Sequence, residues 1–222
     1  MVVMFASQKS NARLVLLMFA ILLIVSGCNG DDDPVQVVPV PDVGPETPDE
    51  LMTRFKDAYT AMDAEKCLAL LDKDYLMILS TKTIEQFPDL GKTLDYAEEE
   101  RIHQRMFSGV PVTDPLGNFI PAVLTVDFQV LKALDTWARV GEGDRFPGTV
   151  WAPFEVELIF DRGQDFSALK LSGVVKIHVR SHEVMVGSKT FTYFLMVGMT
   201  DLTYLGKGVE DTPWGTVKAT YR

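Results

Sequence analysis

The chain has 222 residues, 47% of them hydrophobic, and carries 21 basic against 31 acidic side chains for a net charge of −10. That length suits one domain with a sizeable core. Acidity on this scale disfavours nucleic acid and anionic lipid as partners.

Residues 14–33 read LVLLMFAILLIVSGCNGDDD. The apolar run 14–25 is twelve residues long, and a helix crossing the hydrocarbon needs about twenty. Lys9 and Arg13 precede it, and the small residues Ser26 and Gly27 follow. This is the layout of a secretory signal. Val25-Ser26-Gly27-Cys28 resembles the lipobox of bacterial lipoproteins. The resemblance implies that the Cys28 sulfur takes a diacylglyceryl group. It also implies that the chain is cut before Cys28 and that the new amino group is acylated. Each buried methylene contributes about 0.8 kcal/mol, and more than one chain is needed for stable attachment. The implied product is a domain lipid-anchored in the cell envelope, facing outside the cytoplasm. Asn29 stands where enteric bacteria use Asp to hold lipoproteins in the inner membrane, which favours the outer one. Removing residues 1–27 takes away Lys9 and Arg13 and no acidic residue, so the net charge moves from −10 to −12. With Cys28 on lipid, Cys67 is alone and no internal disulfide can form. Its apolar setting, AEKCLALL, reads as a buried small hydrophobe.

Residues 28–47 form an acidic linker. Pro34, Pro39, Pro41 and Pro45 block regular helix and favour extended chain. The domain proper is expected over 48–222. Thr47-Pro48-Asp49-Glu50 is a helix start, and Leu51, Phe55, Ala58, Tyr59 and Met62 recur at helical spacing. Asp63 caps a second, shorter helix, and Tyr75 to Leu79 suits a short strand. A third helix runs from about Asp95 to Phe107, with Asp95 and Glu98 as a capping box. From Phe119 the period becomes two. Ala122, Leu124, Val126, Phe128 and Val130 share one face, as do Phe154, Val156, Leu158 and Phe160 in a later strand. Strands over 169–179 and 191–199 follow, and 214–221 reads as a closing strand. The spacing therefore predicts an α+β domain, its helices packed on an antiparallel sheet.

The stretch PDELMTRFKDAYTAMDAEKCLALLDKDYLMIL resembles the opening of nuclear transport factor 2-like (SnoaL-like, cystatin-like cone) domains. Ala58-Tyr59, Asp63 and Asp72-Lys73-Asp74-Tyr75 carry the likeness, as does Trp214-Gly215-Thr216-Val217-Lys218 near the end. The resemblance implies a curved sheet around a long helix, a cone with an apolar pocket. Residues 80–118 and 132–150 are longer than that pattern. The family includes isomerases, cyclases, hydrolases, dehydratases and domains that catalyse nothing, and fold alone does not choose among them. Its enzymes place a carboxylate or histidine in the apolar cone, where desolvation tunes it.

The candidates for such a group are Asp127, mid-strand, and His178. Lys176, His178, Arg180 and His182 share one strand face, and Glu155, Glu157 and Asp161 share another. A charge ladder on a wet sheet surface explains both faces without catalysis. His178 and His182 stand about 13 Å apart on a strand, too far for one metal ion, so no metal site is assigned. His103, in EEERIHQR, reads as part of a solvated helix face. There is no Gly-rich phosphate loop, nucleophile elbow or HExxH, and no cofactor is expected. The sequence thus points to an envelope-anchored binding or interaction module, for an apolar small molecule or an envelope protein. A pocket enzyme of isomerase or hydratase type and a structural envelope subunit are the alternatives. Oligomeric state is not legible.

Overall fold

The computed structural model describes residues 42–114, 117–202 and 212–222. The signal, Cys28 and most of the linker lie outside the described residues. Helix α1, Pro48–Thr60, starts as its sequence demands: the Thr47 side chain accepts from the Glu50 amide and proline occupies the first turn. Leu51, Met52, Phe55, Ala58 and Tyr59 form its buried face. Asp63 caps α2, Ala64–Ala69, which buries Cys67 and Leu68. Strand β1, Leu71–Ile78, follows. Then come α3, Thr81–Gln86, a 3-10 turn at Pro88–Leu90, and β2, Thr93–Asp95. Helix α4, Tyr96–Met106, opens with both halves of the Asp95–Glu98 capping box formed. A small hairpin pairs β3, Val112–Thr113, with β4, Phe119–Ile120. The remaining strands are β5 (Thr125–Ala133), β6 (Ala138–Arg139), β7 (Val150–Asp161), β8 (Leu169–Val186) and β9 (Lys189–Asp201). Helix α5, Trp214–Thr220, lies near the end of the chain.

The main sheet runs β2-β1-β9-β8-β7-β5, with β6 also on β7. The chain is α+β, its helices on a curved sheet, but the sheet is mixed and not antiparallel. β1 pairs parallel to β9, and the other pairs are antiparallel. A tight turn forces antiparallel pairing. β1 and β9 are joined through most of the domain, so nothing local fixes their relative direction.

Two more expectations change. In β5 the register slips between Phe128 and Val130. Val126 and Phe128 point into the core, but beyond the bulge Leu131 packs there and Val130 does not. Leu124, ahead of the strand, is half exposed. The expected closing strand is α5. Its buried positions, Trp214, Val217, Lys218 and Tyr221, recur at helical spacing. A lysine on the core side hid that stripe.

The linker also joins the domain earlier than its composition suggests. Arg54 grips Asp42 with two bonds, at 2.9 and 3.0 Å. The Phe194 amide donates to the Pro45 carbonyl at 2.9 Å, and Gly44, at φ +128°, lies against the Tyr193 ring. Residues 42–47 are therefore part of the folded unit.

Candidate functional site

Three of the buried polar side chains, Glu99, His103 and Lys218, sit where α1, α4 and α5 meet. α4 turns Glu99 and His103, one helical turn apart, onto its buried face with Ile102 and Met106. α1 brings Phe55 and Tyr59, and α5 brings Trp214 and Lys218. His103 Nδ1 lies 2.8 Å from the Glu99 carbonyl, and Nε2 lies 2.9 Å from the Tyr59 hydroxyl. A carbonyl only accepts, so Nδ1 carries the proton and the Tyr59 hydroxyl donates to Nε2. Burial pushes the His103 pKa down to about 3, and the Lys218 charge works the same way. The ring is neutral at physiological pH.

Lys218 Nζ pairs with Glu99 Oε2, both groups buried. Burial raises the Glu99 pKa and lowers that of Lys218, and the attraction between them opposes both shifts. Glu99 Oε1 has no hydrogen-bond partner. Around this pair Trp214 stacks on Phe55, with centroids 6.1 Å apart, and meets Tyr59 edge-on at 5.5 Å. Phe128 and Phe107 close further sides of Tyr59. Burial raises the Cys67 thiol to about 12, so Cys67 is an inert core residue.

A neutral imidazole bonded to a phenol is a plausible acid–base pair by chemistry alone. Here both ring nitrogens are engaged, and His103, Tyr59 and Glu99 are all buried. Four surface clefts, of about 390, 610, 280 and 550 Å³, are lined by other residues. None is lined by Glu99, His103 or Lys218. What the arrangement does is tie three helices together through one ion pair, one histidine and an aromatic cluster.

The two candidates named from sequence lie elsewhere. Asp127 is exposed on the outer face of β5, where Gln129 donates to it at 3.2 Å. His178 is buried, but under Phe146 on the outer side of the sheet. The rings are 4.5 Å apart, and Thr149 Oγ1 lies 3.5 Å from Nδ1. Burial lowers its pKa to about 4, with Lys176 adding to the effect. A glycine makes room for this arrangement: a Cβ on Gly198 would stand 2.4 Å from the Phe146 ring.

The structure does not bring the expected charge ladder together. Register sets Glu155 opposite Val174 and Glu157 opposite Ser172. Glu157 pairs diagonally with Lys170 at 2.7 Å. Lys176 faces Asp144 at 3.6 Å, and Arg180 faces Asp72 at 3.4 Å. His182 Nε2 lies 2.8 Å from Asp72 Oδ2, out of line for a hydrogen bond. His103, read as solvated, is 1% exposed. Glu99 and Lys218 escape sequence reasoning, and His103 reads as solvated, because EEERIHQR is dense in charge and 214–221 reads as a strand. Their spacing from Ile102, Met106, Trp214 and Val217 was the available signal.

No family model matches the chain, and no curated protein matches it. Solved structures with a similar outline include an NTF-2-like protein of unknown function from Shewanella oneidensis MR-1. It is 9% identical, covering 68% of this chain and 92% of that one, with a TM-score of 0.33. AusH from Aspergillus nidulans is 10% identical, covering 70% and 84%, with a TM-score of 0.37. A protein of unknown function from Mycobacterium tuberculosis is 10% identical, covering 78% and 80%, with a TM-score of 0.38.

Proposed function

We propose that this chain is a bacterial lipoprotein anchored in the cell envelope through Cys28, facing outside the cytoplasm, with the outer membrane favoured. Its domain, of the nuclear transport factor 2-like cone kind, works as a non-catalytic binding or interaction module. The observation that carries the reading is Val25-Ser26-Gly27-Cys28 behind a positive start and a short apolar run. The engagement of the interior groups supports the second half. Trp214 and Lys218 are buried beside Tyr59, His103 and Glu99, and Lys218 pairs with Glu99. The open clefts lie on the outside of the domain, where a partner or a small apolar molecule meets it. The exposed pair Phe119 and Phe166, with centroids 5.8 Å apart, favours a second reading as a structural subunit of an envelope complex.

Detergent phase partitioning and mass spectrometry of the mature protein test the anchor. The wild type should enter the detergent phase and begin at Cys28 with acyl mass. Cys28→Ser should remain in the aqueous phase or persist as uncleaved precursor. A wild-type protein that begins at residue 1, or lacks acyl mass, contradicts the reading.

A further inference from the structure

The loop between β6 and β7 is held down by one side chain. Residues 141–148 read GEGDRFPG, and of these only Phe146 is buried. The loop folds back over the outer face of the sheet. There His178 on β8 stands between Trp151 on β7 and Gly198 on β9. Gly198 leaves a notch beside the imidazole, and the Phe146 ring occupies it. Thr149 Oγ1 donates to the Phe146 carbonyl at 2.8 Å and keeps its lone pairs for His178 Nδ1 at 3.5 Å. With the ring in place His178 is 1% exposed. Gly143 and Gly148, both at positive φ, bracket Phe146, and a Cβ on either would meet nothing within 4 Å. They serve the backbone and not the packing, which gives the segment a soft joint at each end.

The closed loop keeps a proton out. A histidine removed from water loses its charged form unless an anion compensates. The charged groups that face His178 are Lys176, two positions along β8, and Asp144 in the loop. Lys176 repels an imidazolium, and Asp144, 3.6 Å from Lys176, offsets that only in part. Arg180, two positions the other way, turns to Asp72. β7 and β9 present Trp151 and Gly198 at this point and add no charge. Burial works to raise the Asp144 carboxyl, but the Phe146 amide and Lys176 outweigh it and hold it below its ordinary range. Asp144 therefore stays charged in mild acid, and His178 is the group that changes.

We propose that the 141–148 loop is an acid-released latch: while His178 is neutral the loop covers this part of the sheet, and proton uptake by His178 frees Phe146 and uncovers the imidazole and the Gly198 notch. The proposal does not depend on the anchor at Cys28. The two forms differ in their affinity for one proton, with the imidazole at about 4 when covered and returning towards 6.5 when open. Acidification from pH 7 to 5 thus multiplies the open form by at most about 20-fold.

NMR of the full chain in detergent tests this. As pH falls from 7 to 4, uptake of a proton by His178 and loss of the contact between the Phe146 ring and the Gly198 α-protons should follow one curve. Contacts across β8 and β9 should persist. Asp144→Asn should leave that curve in place, and His178→Gln should keep the Phe146–Gly198 contact down to pH 4. If His178→Gln does not fold, Phe146→Ala takes its place, and in it His178 should titrate near 6.5. A contact that survives to pH 4 in the wild type, or survives protonation of His178, overturns the proposal. So does its loss at the same pH in His178→Gln, its loss together with the contacts across the sheet, or a His178 in Phe146→Ala that still titrates near 4.

Discussion

Glu99 and Lys218 form an ion pair in the centre of an aromatic core, and the pair pulls in two directions. Desolvating both charges offsets most of their attraction, yet removing one leaves the other buried and unpaired. Glu99→Gln and Lys218→Ala should each destabilise the protein by about 3–5 kcal/mol. The double replacement Glu99→Leu with Lys218→Met should lose much less than the sum of the two. Urea unfolding measures all three, and strictly additive losses would contradict the pairing. The histidines add a pH dependence of known sign. His103 and His178 are held near pKa 3 and 4, below the ordinary 6.5. The unfolded chain takes up protons that the fold refuses, so stability falls as pH drops from about 6.5 towards those values. Inside the window His103 contributes at most about 1.4 kcal/mol per pH unit, and His178 less. His178→Gln should remove one of the two contributions. A wild-type stability that stays flat between pH 6.5 and 4.5 would contradict this. None of these roles is legible from residue type alone, because a histidine in EEERIHQR looks solvated. Glu99, Ile102, His103 and Met106 nevertheless form a helical stripe, and a polar residue on such a stripe is a buried one.

At the scale of elements, local signals are the ones that survive. Thr47, Asp63 and Asp95 cap their helices as their positions suggest. What local signals leave open is direction and closure. Nothing in β1 says that it lies parallel to β9, and a stretch with Trp214, Thr216 and Lys218 alternating reads as a strand until the i, i+3, i+4 positions are counted. Trp214 is the test of α5. It touches Phe55, Tyr59 and Phe128, and Trp214→Ala should lower stability by about 3–5 kcal/mol. An unchanged melting temperature would detach α5 from the core. The loop that carries Phe146 has its own test. An alanine at Gly198 would push its Cβ into the Phe146 ring, so Gly198→Ala should destabilise the protein by about 1–3 kcal/mol. In a Phe146→Ala background the same change should be close to neutral. Equal losses in both backgrounds would show that the ring does not occupy that notch.

For the molecule as a whole, the α+β outline and the helix-then-strand order were legible, because hydrophobic period is a long-range average that single residues do not upset. The interior was not, since whether a cone is open depends on which distant segment fills it, and α5 lies more than a hundred residues after α4 in sequence. The central claim is that α5 closes over Tyr59, His103 and Glu99, with Trp214 and Lys218 buried against them. NMR titration of His103 tests it most directly. The imidazole should stay neutral, protonated on Nδ1, from pH 8 down to about 4, given a pKa near 3, and its signals should not move when an apolar ligand such as an aromatic ketone is added. A His103 that titrates near its ordinary 6.5, or whose signals shift on adding that ligand, would mean an accessible pocket and would make the enzyme reading the better one.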